Sequence, residues 1–242
     1  SYAIWLITSR CNLNCKHCYV KGRPLGNELS TKEAFKLVSI LADLGIEWVN
    51  ITGGEPLLRK DLFQIIDKFR EYGIEATIFS NLTIANEELI EKIRKREIYV
   101  YTSIDGSTSE IHDYIRGKGA WEKTIKAIKE LGGENVATTF TITRYNYFDA
   151  GNYVRLAYNL GIEYISLIPV IPSTNRAREA MPTLEQLWEG VKEASKAATE
   201  FGIKVSIWCT PTLALKPLKG IRVGGCPTNS VIDIGPDGRV FR

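Results

Sequence analysis

The chain has 242 residues, of which 44% are apolar and 24% charged, and its formal net charge is +3 at pH 7. This composition is typical of a folded globular protein, and the small net charge gives no evidence of the strongly basic surface of many nucleic-acid-binding proteins. No apolar run reaches the roughly 20 residues that a membrane span needs, and the first residues lack a signal-peptide pattern. Five cysteines, an odd number, do not indicate a secreted disulfide framework. We therefore expect a cytoplasmic protein with available thiols, and neither nucleic acid nor membrane as a partner.

Six β-branched runs alternate with longer stretches of helical period along the chain. The predicted strands are 3–8, 48–52, 76–80, 98–104, 136–143 and 164–168. Capping boxes are predicted at Ser30 and Thr183. Glycines typical of helix C-terminal ends are Gly45, Gly73, Gly161 and Gly202. Because serial strand–helix units form parallel sheets, the sequence predicts an α/β fold, a partial (β/α)6 barrel of the TIM-like type.

Three cysteines follow the first predicted strand within the stretch "CNLNCKHCYV". Cys11, Cys15 and Cys18 then lie at the carboxyl ends of the strands, where barrels of this type have their sites. A [4Fe–4S] cubane normally takes one thiolate per iron, so three cysteines leave one iron without a protein ligand. Zinc bound by these cysteines and His17 is an alternative, although His17 is adjacent to Cys18 and poorly placed to close one tetrahedron with it.

The second predicted strand ends in "TGGEPLL". By itself this pattern indicates a strand-to-helix turn. Together with the CxxxCxxC spacing it resembles the radical S-adenosylmethionine (SAM) superfamily. The resemblance implies that the amino and carboxylate groups of SAM bind the open iron, and that an electron from the reduced cluster cleaves SAM to a 5′-deoxyadenosyl radical. It also implies that Gly53, Gly54 and Glu55 face the amino group of SAM.

The stretch 103–125 resembles the S-x-D-G…H-D-x-x-R-G run of the SPASM branch of this superfamily. The match implies that Ser103 and Arg116 hold the carboxylate of SAM, an arrangement of charge-assisted hydrogen bonds. Asp105 is expected to bind the ribose hydroxyls or to begin the next turn. The alternative for Arg116 is a solvated surface arginine.

Other positions resemble the family less specifically. The resemblance implies that the backbone at His17 meets the adenine, and that Ser80 and Asn81 lie near the cofactor or form an ordinary turn. The stretch 168–177 resembles the "P…GRA" segment that leaves the barrel in the SPASM branch. Arg176 is then expected to face the ligand cavity or to cap a helix.

The C-terminal stretch 224–242 resembles the start of a SPASM/twitch auxiliary-cluster region. The resemblance implies that Cys226 ligates an auxiliary Fe–S cluster and that a longer chain resumes with cysteine at the next position. Residues 235–238 predict a hairpin turn. A terminal hairpin with a buried free cysteine is the alternative. Cys209 matches no family position and is expected to be a core thiol.

These expectations divide the chain into the partial barrel (1–180), a helix with a connecting segment (181–223) and the truncated start of the auxiliary region (224–242). The function they predict is hydrogen abstraction from a peptide or protein side chain by the radical derived from SAM, with a reducing partner such as ferredoxin or flavodoxin. A tetrapyrrole side chain of a small cofactor precursor is the alternative substrate. A non-catalytic Fe–S or zinc-binding module is the alternative of another class. The sequence identifies no catalytic acid or base.

Overall fold

The computed structural model describes residues 1–22, 25–224 and 231–241. The strands are β1 (Tyr2–Thr8), β2 (Trp48–Gly53), β3 (Glu75–Phe79), β4 (Val100–Ser103), β5 (Val136–Ile142), β6 (Tyr164–Pro169), β7 (Val205–Ile207), β8 (Ile221–Val223), β9 (Val231–Ile234) and β10 (Val240–Phe241). The helices are α1 (Thr31–Asp43), α2 (Leu62–Glu71), α3 (Glu87–Lys95), α4 (Ser109–Arg116), α5 (Ala120–Leu131), α6 (Ala150–Asn159), α7 (Asn175–Glu179) and α8 (Leu184–Phe201). The predicted alternation of strands and helices is confirmed.

Local sequence signals set the helix boundaries. The four glycines predicted at helix ends have φ between 65° and 74°, a region that residues with a Cβ rarely adopt. In the predicted capping box at α1, Ser30 Oγ accepts from Glu33 N and the Glu33 carboxylate accepts from Ser30 N. Thr183 and Gln186 form the same reciprocal pair at α8. Both capping boxes are therefore confirmed.

Contacts between residues divide the chain into two compact units, which we describe separately. In described residues, the first unit comprises 1–12, 20–22, 25–100 and 231–241, and the second comprises 13–19 and 101–224. The boundary between them falls within β4.

The first unit is a mostly parallel sheet with the strand order β10-β9-β1-β2-β3. Neighbouring strands are parallel except β10, which is antiparallel to β9. In its core, the fully buried Trp5 meets the ring of Phe69 edge-on, with 6.2 Å between ring centroids. Trp5 Nε1 also donates to Gly235 O at 3.2 Å, which ties the hairpin of β9 and β10 to β1. The hairpin predicted from residues 235–238 is confirmed, and it extends the sheet beside β1.

The second unit contains the parallel strands β5-β6-β7-β8 in chain order. Phe140 and Tyr153 are fully buried, with ring centroids 5.0 Å apart. The Tyr153 hydroxyl lies 2.9 Å from Thr138 Oγ1 and donates to Ser166 O, so this large polar side chain has partners in the core. The sequence did not predict β7 and β8, which have only three residues each.

Two expectations for cysteines meet different outcomes. Cys209 lies two residues beyond the end of β7, is exposed and has φ of 58°. The prediction of a core thiol is wrong because the residue lies outside the strand whose alternation would bury it. Cys226 lies outside the described residues, and the predicted domain limits at 180 and 223 stay predictions.

None of the described helices is long and apolar enough to cross a bilayer.

Candidate cofactor site

In the first unit, the segment from β1 to the first cysteine lies against the turn that follows β2. Gly54 N donates to Thr8 O at 2.8 Å, and Glu55 N donates to Arg10 O at 2.8 Å. A Cβ on Gly54 would overlap Arg10 O, and one on Gly53, whose φ is 139°, would overlap Thr8 O. The two glycines are therefore needed for close approach to the protein's own backbone, an approach that the sequence had assigned to a ligand.

Glu55 is the fully buried carboxylate of this turn. It accepts hydrogen bonds from Leu57 N at 3.0 Å, Ser80 Oγ at 2.7 Å and Asn81 N at 2.8 Å. Burial raises the pKa of the Glu55 carboxyl to about 7, although the three donors favour the ionised form. Ser80, predicted to lie near the cofactor, thus holds Glu55 in place.

Cys11 is half-buried and lies beside an amide donor. Asn81 Nδ2 is 3.9 Å from Cys11 Sγ and 3.1 Å from Asn12 Oδ1. Asn12 Nδ2 donates to Thr83 Oγ1 at 2.7 Å, and Thr83 Oγ1 donates to Asn81 Oδ1 at 2.6 Å. This network orients an N–H group toward the sulfur, which stabilises negative charge on it.

Glu28 is a residue of this region that the sequence analysis missed. Its carboxylate accepts from Thr8 Oγ1 at 2.5 Å and from Arg10 at 2.7 Å and 3.1 Å. These bonds fix the end of β1 immediately before Cys11. Glu28 lies in a loop without any motif, so only its charge opposite to that of Arg10 hinted at the pairing.

In the second unit, the segment 13–19 contains Cys15, which is buried, and Cys18, which is half-buried. Neither forms a disulfide. Cys18 N donates to Cys15 O at 3.3 Å, and Lys16 N donates to Ile115 O at 2.9 Å. The segment is therefore a turn attached to the last part of α4.

Asp105 is fully buried and has several charged or polar neighbours. His17 Nε2 lies 2.6 Å from its Oδ2, Arg116 Nε donates to the same oxygen at 2.5 Å, and Thr141 N donates to Oδ1 at 2.8 Å. Burial alone would raise the pKa of Asp105, but the charges of Arg116 and His17 hold it well below the usual range. Both carboxylate oxygens are thus engaged by protein groups.

Arg116 is not a surface arginine, because its side chain is only 11% exposed. Its Nη1 lies 4.0 Å from Cys15 Sγ while its Nε binds Asp105. A guanidinium at this distance favours a thiolate at Cys15. Ser103, the other residue predicted to hold the carboxylate of SAM, ends β4 and is half-buried.

The remaining polar residues of the H-D-x-x-R-G run support the site. His112 Nδ1 accepts from Asp105 N at 3.1 Å, and burial lowers the pKa of His112 to about 4, so the ring is neutral at pH 7. Asp113 accepts from Gly119 N at 2.5 Å and from Trp121 N at 2.8 Å. His112 thus orients the backbone at Asp105, whereas Asp113 fixes the start of α5.

Residues 5–150 match the family model of the Radical SAM superfamily. The chain belongs to the radical SAM superfamily. This family uses a [4Fe–4S] cluster and SAM, as the spacing of the cysteines led us to expect. The parallel α/β architecture agrees with the family fold.

Three similar proteins illustrate what the chain resembles. The chain is 37% identical over 152 residues to Fe-coproporphyrin III synthase of Methanosarcina barkeri, which covers 60% of this chain and 38% of the relative. It is 29% identical over 189 residues to mycofactocin maturase MftC of Mycobacterium tuberculosis, with 75% and 48% covered. The structure of Streptococcus suis SuiB bound to precursor peptide SuiA aligns with a TM-score of 0.78 at 16% identity, over 99% of this chain and 58% of SuiB. The chain spans less than half the length of the two curated relatives.

The residues present fit the cofactors of a radical SAM protein. Cys11, Cys15 and Cys18 form no disulfide, and Cys11 and Cys15 each have an N–H donor near the sulfur. Cysteine thiolates are the usual ligands of Fe–S clusters. Within residues 1–22, 25–224 and 231–241, no group of three or more His, Cys, Asp or Glu is arranged to hold a single metal ion. The zinc-site alternative therefore gains no support from the described residues.

Proposed function

We propose that this protein cleaves SAM reductively and removes a hydrogen atom from an unactivated carbon of its substrate. The observation that carries the proposal is the CxxxCxxC segment after β1, whose cysteines form no disulfide, in a chain that the radical SAM family model matches. When bound, the cluster supplies the electron that cleaves SAM to the 5′-deoxyadenosyl radical. Cys11, Cys15 and Cys18 are the proposed ligands, and three thiolates leave one iron of a cubane for SAM.

Two side chains support a binding mode for SAM. Glu55 is fully buried and accepts from Leu57 N, Ser80 Oγ and Asn81 N, so it fixes the turn of Gly53 and Gly54 beside which the amino group of SAM would bind. Arg116 supplies a guanidinium and Ser103 a hydroxyl for the carboxylate of SAM. The Nη1 group of Arg116 is not used by Asp105, which supports this role.

Three other residues predicted to contact the cofactor are proposed to act through their backbone or through neighbouring side chains. The side chain of His17 binds Asp105, so any adenine contact belongs to the backbone of His17. Asp105 has both oxygens engaged, which favours positioning of Arg116 over binding of ribose. Ser80 acts through Glu55.

We also propose membership of the SPASM/twitch branch, on the strength of the H-D-x-x-R-G run and the spacing that follows Cys226. In this proposal Cys226 ligates an auxiliary Fe–S cluster when the neighbouring region of a longer chain supplies further ligands. A small reducing protein such as ferredoxin or flavodoxin delivers the electron.

Two substrate classes are proposed, each supported by a comparison. A peptide or protein side chain is supported by the maturase MftC and by the fold shared with SuiB, whose structure holds a precursor peptide. A tetrapyrrole side chain is supported by the higher identity, 37%, to Fe-coproporphyrin III synthase.

The reaction type is tested by anaerobic reconstitution with iron and sulfide, followed by addition of SAM and dithionite. We expect 5′-deoxyadenosine in the reconstituted wild type and none in a Cys15→Ala variant. A protein that binds iron but neither binds SAM nor forms 5′-deoxyadenosine would instead be the non-catalytic module.

The substrate class is tested by measuring whether an added compound increases the cleavage of SAM and is itself modified. Iron coproporphyrin III, or a short peptide encoded beside the gene, is added to the same assay. The true substrate class is expected to raise 5′-deoxyadenosine formation above the rate without substrate and to yield a product of changed mass. A compound that does neither is excluded as substrate.

A further inference from the structure

The chain between β6 and α7 contacts the backbone of the cysteine segment within the second unit. Thr174 Oγ1 donates to Cys18 O at 2.9 Å, and Ser173 Oγ donates to Tyr19 O at 3.0 Å. Two successive side chains therefore hold two successive carbonyl groups. The sequence analysis had given this stretch no role toward the cysteines.

Arg176, in the first turn of α7, holds the other end of the same segment. Its Nη1 donates to Cys15 O at 3.1 Å and also contacts the side-chain oxygen of Asn14. The expectation that Arg176 faces a ligand cavity or caps a helix stays a prediction, and this contact adds to it. The carbonyl group of Cys15 thus accepts a hydrogen bond from Arg176, and that of Cys18 accepts one from Thr174.

The short helix α7 is held in place by its N-cap and by packing, so the side chains of Thr174 and Arg176 have defined positions. Thr174 is the N-cap of α7, and its Oγ1 accepts from Ala177 N at 3.2 Å while it donates to Cys18. Ala177 and Ala180 are fully buried and pack with Val170. A five-residue helix has little stability alone, so this packing and the cap keep it in place.

We infer that Thr174 and Arg176 are positioning residues that hold Cys15 and Cys18 in the geometry required by the cluster. The inference rests on the proposed function, since it assigns the cluster to these thiols. Ligands that are ordered before binding avoid the entropy loss of ordering them on binding. Each of these hydrogen bonds restricts the peptide that follows a cysteine, so its loss gives the backbone at that cysteine, and with it the sulfur, more freedom.

Backbone hydrogen exchange in the metal-free chain tests the inference without the cluster. Arg176→Gln and Thr174→Val are expected to accelerate exchange of residues 14–19 by about tenfold, the effect of losing one hydrogen bond. Arg178→Gln is the matched control, because Arg178 is exposed on the same helix and its side chain donates to Asn175 Oδ1 rather than to the cysteine segment. Its exchange should equal that of the wild type.

A conservative variant separates positioning from a general loss of structure. Arg176→Lys keeps one donor that reaches Cys15 O, and we expect it to restore most of the protection of residues 14–19. Exchange in β5 and β6 should stay unchanged in all variants. Faster exchange throughout the second unit, or equal rates in Arg176→Gln and Arg178→Gln, would overturn the inference.

The rate of iron release from the reconstituted protein provides a second test. Iron release from the reconstituted cluster to an excess of chelator is expected to be about tenfold faster in Arg176→Gln and Thr174→Val than in the wild type. Release at the wild-type rate in both variants overturns the inference while leaving the proposed function intact. A wild type that takes up no cluster at all contradicts the proposed function instead.

Discussion

At the scale of single residues, the pairing of the buried Asp105 carboxylate is the main electrostatic feature described in the second unit. Its carboxylate is fully buried and is balanced by Arg116 and His17. The sequence pattern indicated that Asp105 and Arg116 belong to one site, but it did not reveal that they bind each other. Pairing of residues eleven positions apart depends on how β4 and α4 are arranged, which a motif does not encode.

We predict that Arg116→Ala lowers the free energy of unfolding of the metal-free protein by about 3–5 kcal/mol, because the buried carboxylate of Asp105 then loses its guanidinium partner. Adding Asp105→Asn should recover part of this loss. Urea unfolding measures both variants. Arg155→Ala serves as the control, since its pair with Glu200 is exposed and should contribute less than about 1 kcal/mol. Equal losses in the two arginine variants would refute the buried pair.

Glu55 predicts a pH dependence of stability. Its pKa is about 7 in the folded protein against an ordinary 4.5, so between these values the folded state holds a proton that the unfolded state has lost. The contribution of Glu55 to the free energy of unfolding should therefore fall by about 3 kcal/mol as the pH rises from 4.5 to 7. Above pH 7 this contribution should change little. Urea unfolding of the metal-free protein at pH 5, 6, 7 and 8 measures the slope.

Glu55→Gln should reduce this slope, at the cost of lower stability at every pH because an amide group then faces the N–H of Asn81. Glu122→Gln, an exposed change, is the control and should keep the wild-type slope. An unaltered slope in Glu55→Gln would show that Glu55 is not the titrating group.

At the scale of elements, local patterns predicted most of the fold. The first six strands, the capping boxes and the glycine-marked helix ends depend on residues close together in the chain. The strands β7 and β8 are too short to give a periodic signal. The pairing of β9 with β1 joins residues about 230 positions apart, so no local pattern contains it. The role of Thr174 and Arg176 was missed for the same reason.

The turn after β2 provides a prediction at this scale. Gly54→Ala places a Cβ against Arg10 O and should cost about 1–3 kcal/mol, with reduced iron uptake because the segment before Cys11 must shift. Thr183→Ala removes the capping box of α8 and should cost about 1 kcal/mol without affecting iron uptake. Thermal unfolding and iron analysis measure the two effects. Normal iron uptake in Gly54→Ala would show that the turn after β2 does not position the proposed cluster ligands.

At the scale of the whole molecule, counting thiols predicts the iron content. Three of the five cysteines are assigned to one cluster, and Cys209 with Cys226 cannot supply the four thiolates of a second cubane. We therefore expect about four irons per 242-residue chain, unchanged in Cys226→Ala. Iron and sulfide analysis after reconstitution checks this number. About eight irons in this chain, or loss of iron in Cys226→Ala, would contradict the assignment.

The central claim is that Cys11, Cys15 and Cys18 bind a cluster that in turn binds SAM. Electron paramagnetic resonance of the reduced, reconstituted protein, recorded with and without SAM, tests it most directly. We expect SAM to change the spectrum of the wild type and of Cys209→Ala, whose thiol is exposed and matches no family position. Alanine at any one of the three cysteines should abolish the change. A SAM-dependent change that persists in all three single variants would contradict the account.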